Sequence, residues 1–496
     1  MELTNNGESQ RQNGSVDFSI DDAVDAVQFG KFQKIMMIAV GLCFMSDAME
    51  VVLLGFLSAV LRYEWDLTTS QAAAIAGSVF GGELVGSAVL GRLGDVFGRR
   101  KIFLAAAAII CVAGAATSIV PGYKSLVLVR FIVGFGVGGL TVPFDIFAEF
   151  LPNQMRGRCL MYVNYYWTAG SIMVTLFAFF TLGLGYSWRL FVLLCSIPSL
   201  ASFILCYRYV PESPRWLLAE GRANEALVIL RNVADINGKI SNEIFPKGSC
   251  NLLLEKKESS DVCELFKPKW RKLTFLIWGV WISFGFGYYG TIILSTTRVF
   301  QLSESTNDDA IATGPKFNYG ALCITSAAEI AGVLLSILTV DRWGRVPSQV
   351  LGYAGGGISV FLMCMLSENG ASIAILTLVA FISRTFEMSA SCVTWISTAE
   401  IYSTEIRSTG HSVANVMCRL SAFCCPFVVE NASLRMVAFI MVLVHLLGVI
   451  SGAFLPETKD VALGKFAKAE FQKKSKSGNS AGEPFFEAQT TYAIIE

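Results

Sequence analysis

The stretch MSDAMEVVLLGFLSAVL, residues 45–61, reads as a segment made to lie in lipid, yet it carries Asp47 and Glu50 about one helical turn apart. The apolar run around it, residues 36–61, is long enough as a helix to cross a hydrocarbon core about 30 Å thick, which takes roughly 20 residues. Similar runs follow at 72–93, 102–120, 125–150, 160–184, 189–210, 273–296, 317–340, 348–366, 371–400, 410–430 and 434–455. The pattern is six spans, a polar gap, and six more.

Composition agrees. Of 496 residues, 53% are hydrophobic and only 16% charged, and the mean hydropathy is +0.55, far outside the range of soluble globular chains. Lipid offers no partner to backbone N–H and C=O groups, and the short alternating segments of a barrel are missing. The predicted fold class is therefore an all-α polytopic membrane protein, with twelve transmembrane helices in two six-helix halves. Residues 1–35 read as a cytoplasmic N-terminal segment, 36–210 as the first half, 211–272 as a cytoplasmic linker with short helices, 273–455 as the second half, and 456–496 as a cytoplasmic, disordered tail.

A formal net charge of +0 gives no basic excess for nucleic acid. The 13 cysteines are scattered and suit neither a zinc site nor a disulfide framework. With only His411 and His445 as histidines and no nucleophile motif, the reading is not an enzyme, with no cofactor and no metal. The N-terminal region, with SIDDAVDAVQFGKFQK at 19–34, lacks a basic start and a short apolar core, so no cleavable signal is expected. Arg92, Arg99, Arg100, Lys101, Arg156, Arg158, Arg342, Arg345 and Arg407 all follow even-numbered spans, which places both termini and the linker in the cytoplasm. The membrane expected is the plasma membrane or an endomembrane vesicle.

Within the linker, apolar residues Leu217, Ala226, Leu227, Leu230 and Val233 recur at helical spacing, and Asn237-Gly238 is a helix stop. In the tail, Tyr492 to Ile495 fits the tyrosine-x-x-bulky pattern read by sorting adaptors, with an inert tail as the alternative.

The two halves echo each other. GRLGDVFGRRK (91–101) after span two answers to DRWGR (341–345) after span eight. Glu149 precedes Arg156 by seven residues at the end of span four, as Glu400 precedes Arg407 at the end of span ten. PESPR (211–215) closes the first half and PETK (456–459) the second. On these motifs the chain resembles the major facilitator superfamily over residues 36–460. The resemblance implies two halves rocking about a central site, with Gly91, Asp95, Gly98, Arg99, Arg130, Glu149, Arg156, Glu212, Arg215, Asp341, Arg345, Glu400 and Arg407 as a gating latch at the cytoplasmic ends. In that latch Asp95 pairs with Arg99 and Asp341 with Arg345; simple anchoring at the interface is the alternative. Gly134, Gly136 and Gly139 match a nucleotide-binding pattern, but no strand precedes them, and small residues so spaced let membrane helices approach.

The branch shows in SDAMEVVLLGFL (46–57), in Tyr288-Tyr289-Gly290, in ELFKP (264–268) and in RTFEMSAS (384–391). These stretches resemble the synaptic-vesicle-2-related proteins and the bacterial niacin transporters. Sugar porters share PESPR and PETK, but the paired glutamines they usually carry in span seven and the Gly-Tyr-Asp in span one are absent.

A charge in mid-membrane costs at least about 2.5–3.5 kcal/mol, so Asp47 and Glu50 need a reason. Either one is a fixed strut to a neighbouring arginine, or the pair is a proton or substrate site, for which paired carboxyls out of water are suited. Arg419, seven residues before Pro426, matches the place where organic anion transporters carry arginine and organic cation transporters aspartate. With Arg384 it is expected to hold a substrate anion. The alternative is that Asp47, Glu50, Asp145 and Glu430 attract a cation, or merely neutralise Arg130, Arg384 or Arg419. Tyr162, Tyr165, Tyr166, Trp167, Tyr288, Tyr289 and Trp395 suit a flat or ring-bearing ligand, or pack between helices. The expected function is a monomeric secondary transporter of a small organic ion. The ion expected is an aromatic carboxylate moved with a coupling proton across the bilayer. An organic-cation or sugar carrier of the same superfamily, or a non-transporting receptor or trafficking protein, is the alternative.

Overall fold

The computed structural model describes residues 11–12, 15–246, 250–253, 262–302, 315–402 and 406–459. The disordered tail expected from residue 456 and its Tyr492 motif lie, from 460 onward, outside the described residues.

Among the described residues, twelve helices are long and apolar enough to cross a membrane. They are α1 (Lys31–Glu64), α2 (Thr69–Phe97), α3 (Arg99–Thr117), α4 (Tyr123–Glu149), α5 (Asn153–Gly183), α6 (Trp188–Tyr209), α7 (Arg271–Val299), α8 (Tyr319–Trp343), α9 (Arg345–Glu368), α10 (Ile373–Ile401), α11 (Thr409–Asn431) and α12 (Leu434–Ala453). Several start on cap residues: Thr68 accepts from the Gln71 N–H before α2, and Ser372 and Ser433 do the same for α10 and α12. Prolines explain two interruptions. In α4, Pro143 cannot donate and crowds the carbonyl four residues back, and the helix breaks after Gly138 and resumes at Thr141. In α6, Pro198 opens the second segment after a break at Ser196.

Glycines set the tightest seam. A Cβ on Gly82 or Gly86 of α2 would meet the Phe131 or Phe135 backbone of α4. Conversely, a Cβ on Gly134 or Gly138 would meet the backbone at Val79 or Glu83. Two Gly-x-x-x-Gly faces thus let the backbones of α2 and α4 touch; of the three glycines singled out in the sequence only Gly134 lies in this seam, while Gly136 abuts Ile109 and Ile110 and Gly139 abuts Leu90 and Ala106. Gly98 and Gly344, at φ 102° and 101°, end α2 and α8 in a conformation open to glycine alone.

Beside the first half lies a small cap. The helix Ile20–Val27 buries Ile20, Ala23, Val24 and Val27, and the helix Ala223–Ile236 buries Ala226, Leu227, Leu230, Val233 and Ala234 in the same core. The stop expected at Asn237-Gly238 is there, with Gly238 at φ 79°. Asn237 also accepts from the Phe32 N–H (3.0 Å) and donates to Gln33 (2.9 Å), tying the linker to the start of α1. Strand Ser15–Phe18 pairs in parallel with Cys250–Leu252.

At the ends away from the arginine motifs the two halves meet. Ser70 donates to Asn431 Oδ1 (2.9 Å), Phe56 packs edge-on against Phe317 (centroids 5.0 Å apart), and Phe179 against Tyr319 (5.7 Å). These contacts hold the two halves together at this end.

Candidate functional site

Asp47 and Glu50 share a face of α1 but not a partner. Glu50, 3% exposed, is ion-paired with Arg130 of α4, which is 0% exposed. Arg130, expected among the cytoplasmic latch, is therefore a buried strut inside the first half; the correction follows from its place in mid-α4, well short of the helix end where Glu149 lies. Asp47, 4% exposed, lies within electrostatic reach of Arg419, Glu50 and Glu83. Its Oδ1 has no hydrogen-bond partner among the described residues.

Arg419 crosses between the halves. From α11 its Nη1 reaches Glu83 Oε2 of α2 (2.5 Å) and the Tyr289 hydroxyl of α7 (3.0 Å). In the second half, Arg384 of α10 binds Glu329 Oε1 of α8 (2.5 Å), which also accepts from the Tyr288 hydroxyl (2.5 Å); that hydroxyl in turn accepts from Trp167 Nε1 of α5 (2.6 Å). Each adjacent tyrosine thus posts one buried arginine–glutamate pair, and each guanidinium lies over its ring, Arg384 at 5.4 Å from Tyr288 and Arg419 at 5.8 Å from Tyr289. Both arginines expected to receive a substrate anion are already engaged by carboxylates of the chain. Around Asp47, three carboxylates (Asp47, Glu50, Glu83) face two guanidiniums (Arg130, Arg419), and the cluster is one positive charge short.

Tyr166 packs its ring where a side chain on Gly41 of α1 would stand, and Tyr165 stacks on Tyr162 (6.4 Å). Trp395 sits in an aromatic group with Trp281 (5.1 Å) and His411 (4.8 Å), and its ring is 6.3 Å from that of Phe144 in the first half. Among the described residues these three expected site residues make no hydrogen bond to the charged cluster, though all three pack against the same core as Tyr288 and Tyr289.

The latch motifs are assembled within each half. Arg99 Nη1 binds Glu149 (2.7 Å), with Asp145 at 3.8 Å and Asp95 at 3.9 Å. Arg345 takes Glu400 in two bonds of 2.7 and 2.8 Å, so its direct partner is Glu400 in place of the expected Asp341. Glu212 accepts the Arg100 N–H (2.9 Å), and Glu457 the N–H groups of Arg345 (2.9 Å) and Val346 (3.0 Å). Partial burial alone would push the Glu457 carboxyl up, but backbone donors from Arg345, Val346, Lys459 and Thr458 outweigh it and hold the group below its ordinary value of 4.5. Ser213 and Thr458, the next residues along, bond Glu149 and Glu400. The PES and PET segments are thus repeat-related caps on α3 and α9. Arg156 and Arg215 instead share Asp21 of the N-terminal helix, whereas Nε and Nη2 of Arg407 have no partner among the described residues. Gly91 has open space around it.

Glu83 and Glu329 are missing from the sequence-derived site. A signal exists: each lies twelve residues before the aspartate of its helix-end motif, Asp95 or Asp341, and three before a glycine.

Known proteins match over most of the chain. The family described as sugar (and other) transporter matches residues 29–469. A synaptic vesicle 2-related protein of Rattus norvegicus is 30% identical over 94% of this chain and 86% of its own. Organic cation/carnitine transporter 7 of Arabidopsis thaliana is 32% identical over 84% of this chain and 88% of its own. Among solved structures, the xylose transporter of E. coli in a partially occluded inward-open conformation aligns with a TM-score of 0.66, covering 87% of this chain and 100% of that one; at 20% identity the likeness is one of fold.

Proposed function

The chain belongs to the sugar (and other) transporter family of the major facilitator superfamily, in its synaptic-vesicle-2-related branch, and from there we propose that it exchanges a small organic cation for a proton by alternating access, with Asp47 holding either one. The observation that carries this reading is the charge of the central cluster, where three carboxylates share two guanidiniums and Asp47 Oδ1 is buried without a partner. Either a proton or an ammonium supplies the missing charge, and one carboxylate cannot hold both. That exclusion is the coupling: each occupant leaves before the other binds. A neutral sugar carried without a proton gives no reason to keep an excess carboxylate in a membrane. An anion would have to displace Glu83 or Glu329 from its arginine. The plant relative named as an organic cation/carnitine transporter is consistent with the same charge. The arginine-rich loops after even-numbered spans support a cytoplasmic position for both termini.

Asp47→Asn keeps the shape and removes the charge. It is expected to reach the membrane, to bind no organic ammonium, and to lose proton-driven uptake in vesicles carrying a pH gradient. Uptake with unchanged dependence on the gradient would overturn the role of Asp47.

A further inference from the structure

Behind Tyr288, on the side of α7 facing α9 and α12, lies a second buried pair that the exchange above does not use. Glu387 of α10 is 1% exposed and His445 of α12 is 2% exposed, with His445 Nε2 2.6 Å from Glu387 Oε1. His445 Nδ1 lies 2.7 Å from the Met441 carbonyl, one turn back in α12. A carbonyl only accepts, so Nδ1 carries a hydrogen. A 2.6 Å contact between Nε2 and a carboxyl oxygen needs another. The pair therefore holds one proton beyond those of a neutral imidazole and a carboxylate. Whether written as imidazolium facing carboxylate or imidazole facing carboxylic acid, it is the same proton in one hydrogen bond.

What faces the pair from each neighbour leaves the proton without a substitute. From α7, Thr291 donates to Glu387 Oε1 at 3.4 Å, and Gly287 stands where a Cβ would be 3.0 Å from the imidazole. From α9, Gly356 and Gly357 crowd the ring, and the Tyr353 hydroxyl, within electrostatic reach of Glu387, is bonded to Thr394 and Val280. On α10 itself, Arg384 is one turn away and already holds Glu329. Among the described residues no lysine or arginine pairs with Glu387. Two buried glutamates of this half, Glu329 and Glu387, thus face one arginine, and the proton supplies the balance.

We propose that Glu387 and His445 form a proton-binding site of the second half, distinct from Asp47, whose proton fastens α10 to α12. When the proton leaves to solvent base, the Nε2 lone pair faces a carboxylate oxygen, and the tightly packed glycines leave the ring little room to turn away. The site needs no substrate and stands whether or not Asp47 exchanges a cation.

The test is the thermal-unfolding midpoint of the full-length chain in detergent, without substrate, from about pH 6 to about pH 9. Wild type is expected to lose about 2 °C or more towards the alkaline end. In E387Q the amide donates to neutral Nε2 at every pH, and in the double variant E387Q/H445Q two neutral amides replace the pair, so each variant is expected to lose that alkaline fall. Either one suffices if the other fails to fold. The difference should persist in an Asp47→Asn background, which separates this site from the exchange site. A flat wild-type curve, or variant curves lowered in parallel with wild type at all pH values, would mean that the pair is a fixed hydrogen bond and overturn the proposal.

Discussion

At the scale of single residues, Glu83 decides the sign of the site. Its bond to Arg419 occupies the guanidinium that would otherwise face Asp47 alone. Glu83→Gln removes one negative charge, leaves Asp47 and Arg419 to pair, and so should weaken binding of an organic ammonium by at least about tenfold, equivalent to about 1.4 kcal/mol. The double variant Glu83→Gln with Arg419→Gln restores the excess carboxylate and should recover part of that loss; equilibrium binding to the purified variants reads both. Were the site built for an anion, Glu83→Gln would free Arg419 and strengthen carboxylate binding instead. Much of this cluster is legible in the sequence, because Asp47, Glu50, Arg384 and Arg419 are charges in apolar runs. Which carboxylate takes which arginine is not legible, since Arg130, Arg384 and Arg419 find their partners on other helices. Glu83 and Glu329 escape notice among small apolar neighbours, and only the repeat offset from Asp95 and Asp341 marks them.

At the scale of elements, the seam between α2 and α4 holds Glu83 in place. Gly134 sits where a Cβ would collide with the Val79 carbonyl, and that carbonyl belongs to backbone that cannot step aside. Gly134→Leu should therefore push the helices apart at a cost of about 1–3 kcal/mol or more, shift Glu83 away from Arg419, and lower both the unfolding midpoint and ammonium binding. A variant that keeps its stability and its binding would show that the glycine seam does not position the site. The spacing of Glu149 from Arg156, and of Glu400 from Arg407, announces the latches in the sequence. Their wiring is a matter of three dimensions, for the arginines that bind Glu149 and Glu400 are Arg99 and Arg345, each at the start of the helix immediately before. The first half also recruits Asp21 for Arg156 from a polar segment that no membrane-span pattern would single out.

At the scale of the whole molecule, the halves are closed over the ends away from the arginine motifs, through Ser70 and Asn431 and the rings of Phe56, Phe317, Phe179 and Tyr319. Alternating access requires that contact to part. Cysteines at Ser70 and Asn431 joined by a short bifunctional reagent should abolish transport, reductive release of a cleavable reagent should restore it, and transport persisting through the bridge would rule out opening at this end. The count of twelve helices and their division into halves follow from apolar length alone, whereas the state in which the halves are caught depends on side chains at helix ends. The exchange itself is tested most directly by calorimetry of a small aromatic ammonium binding to the purified protein in buffers of different ionisation enthalpy. Below the pH at which Asp47 gives up its proton, binding should release close to one proton, and Asp47→Asn should neither bind nor release; binding of aromatic carboxylates with proton uptake, lost in Arg419→Ala, would contradict the account.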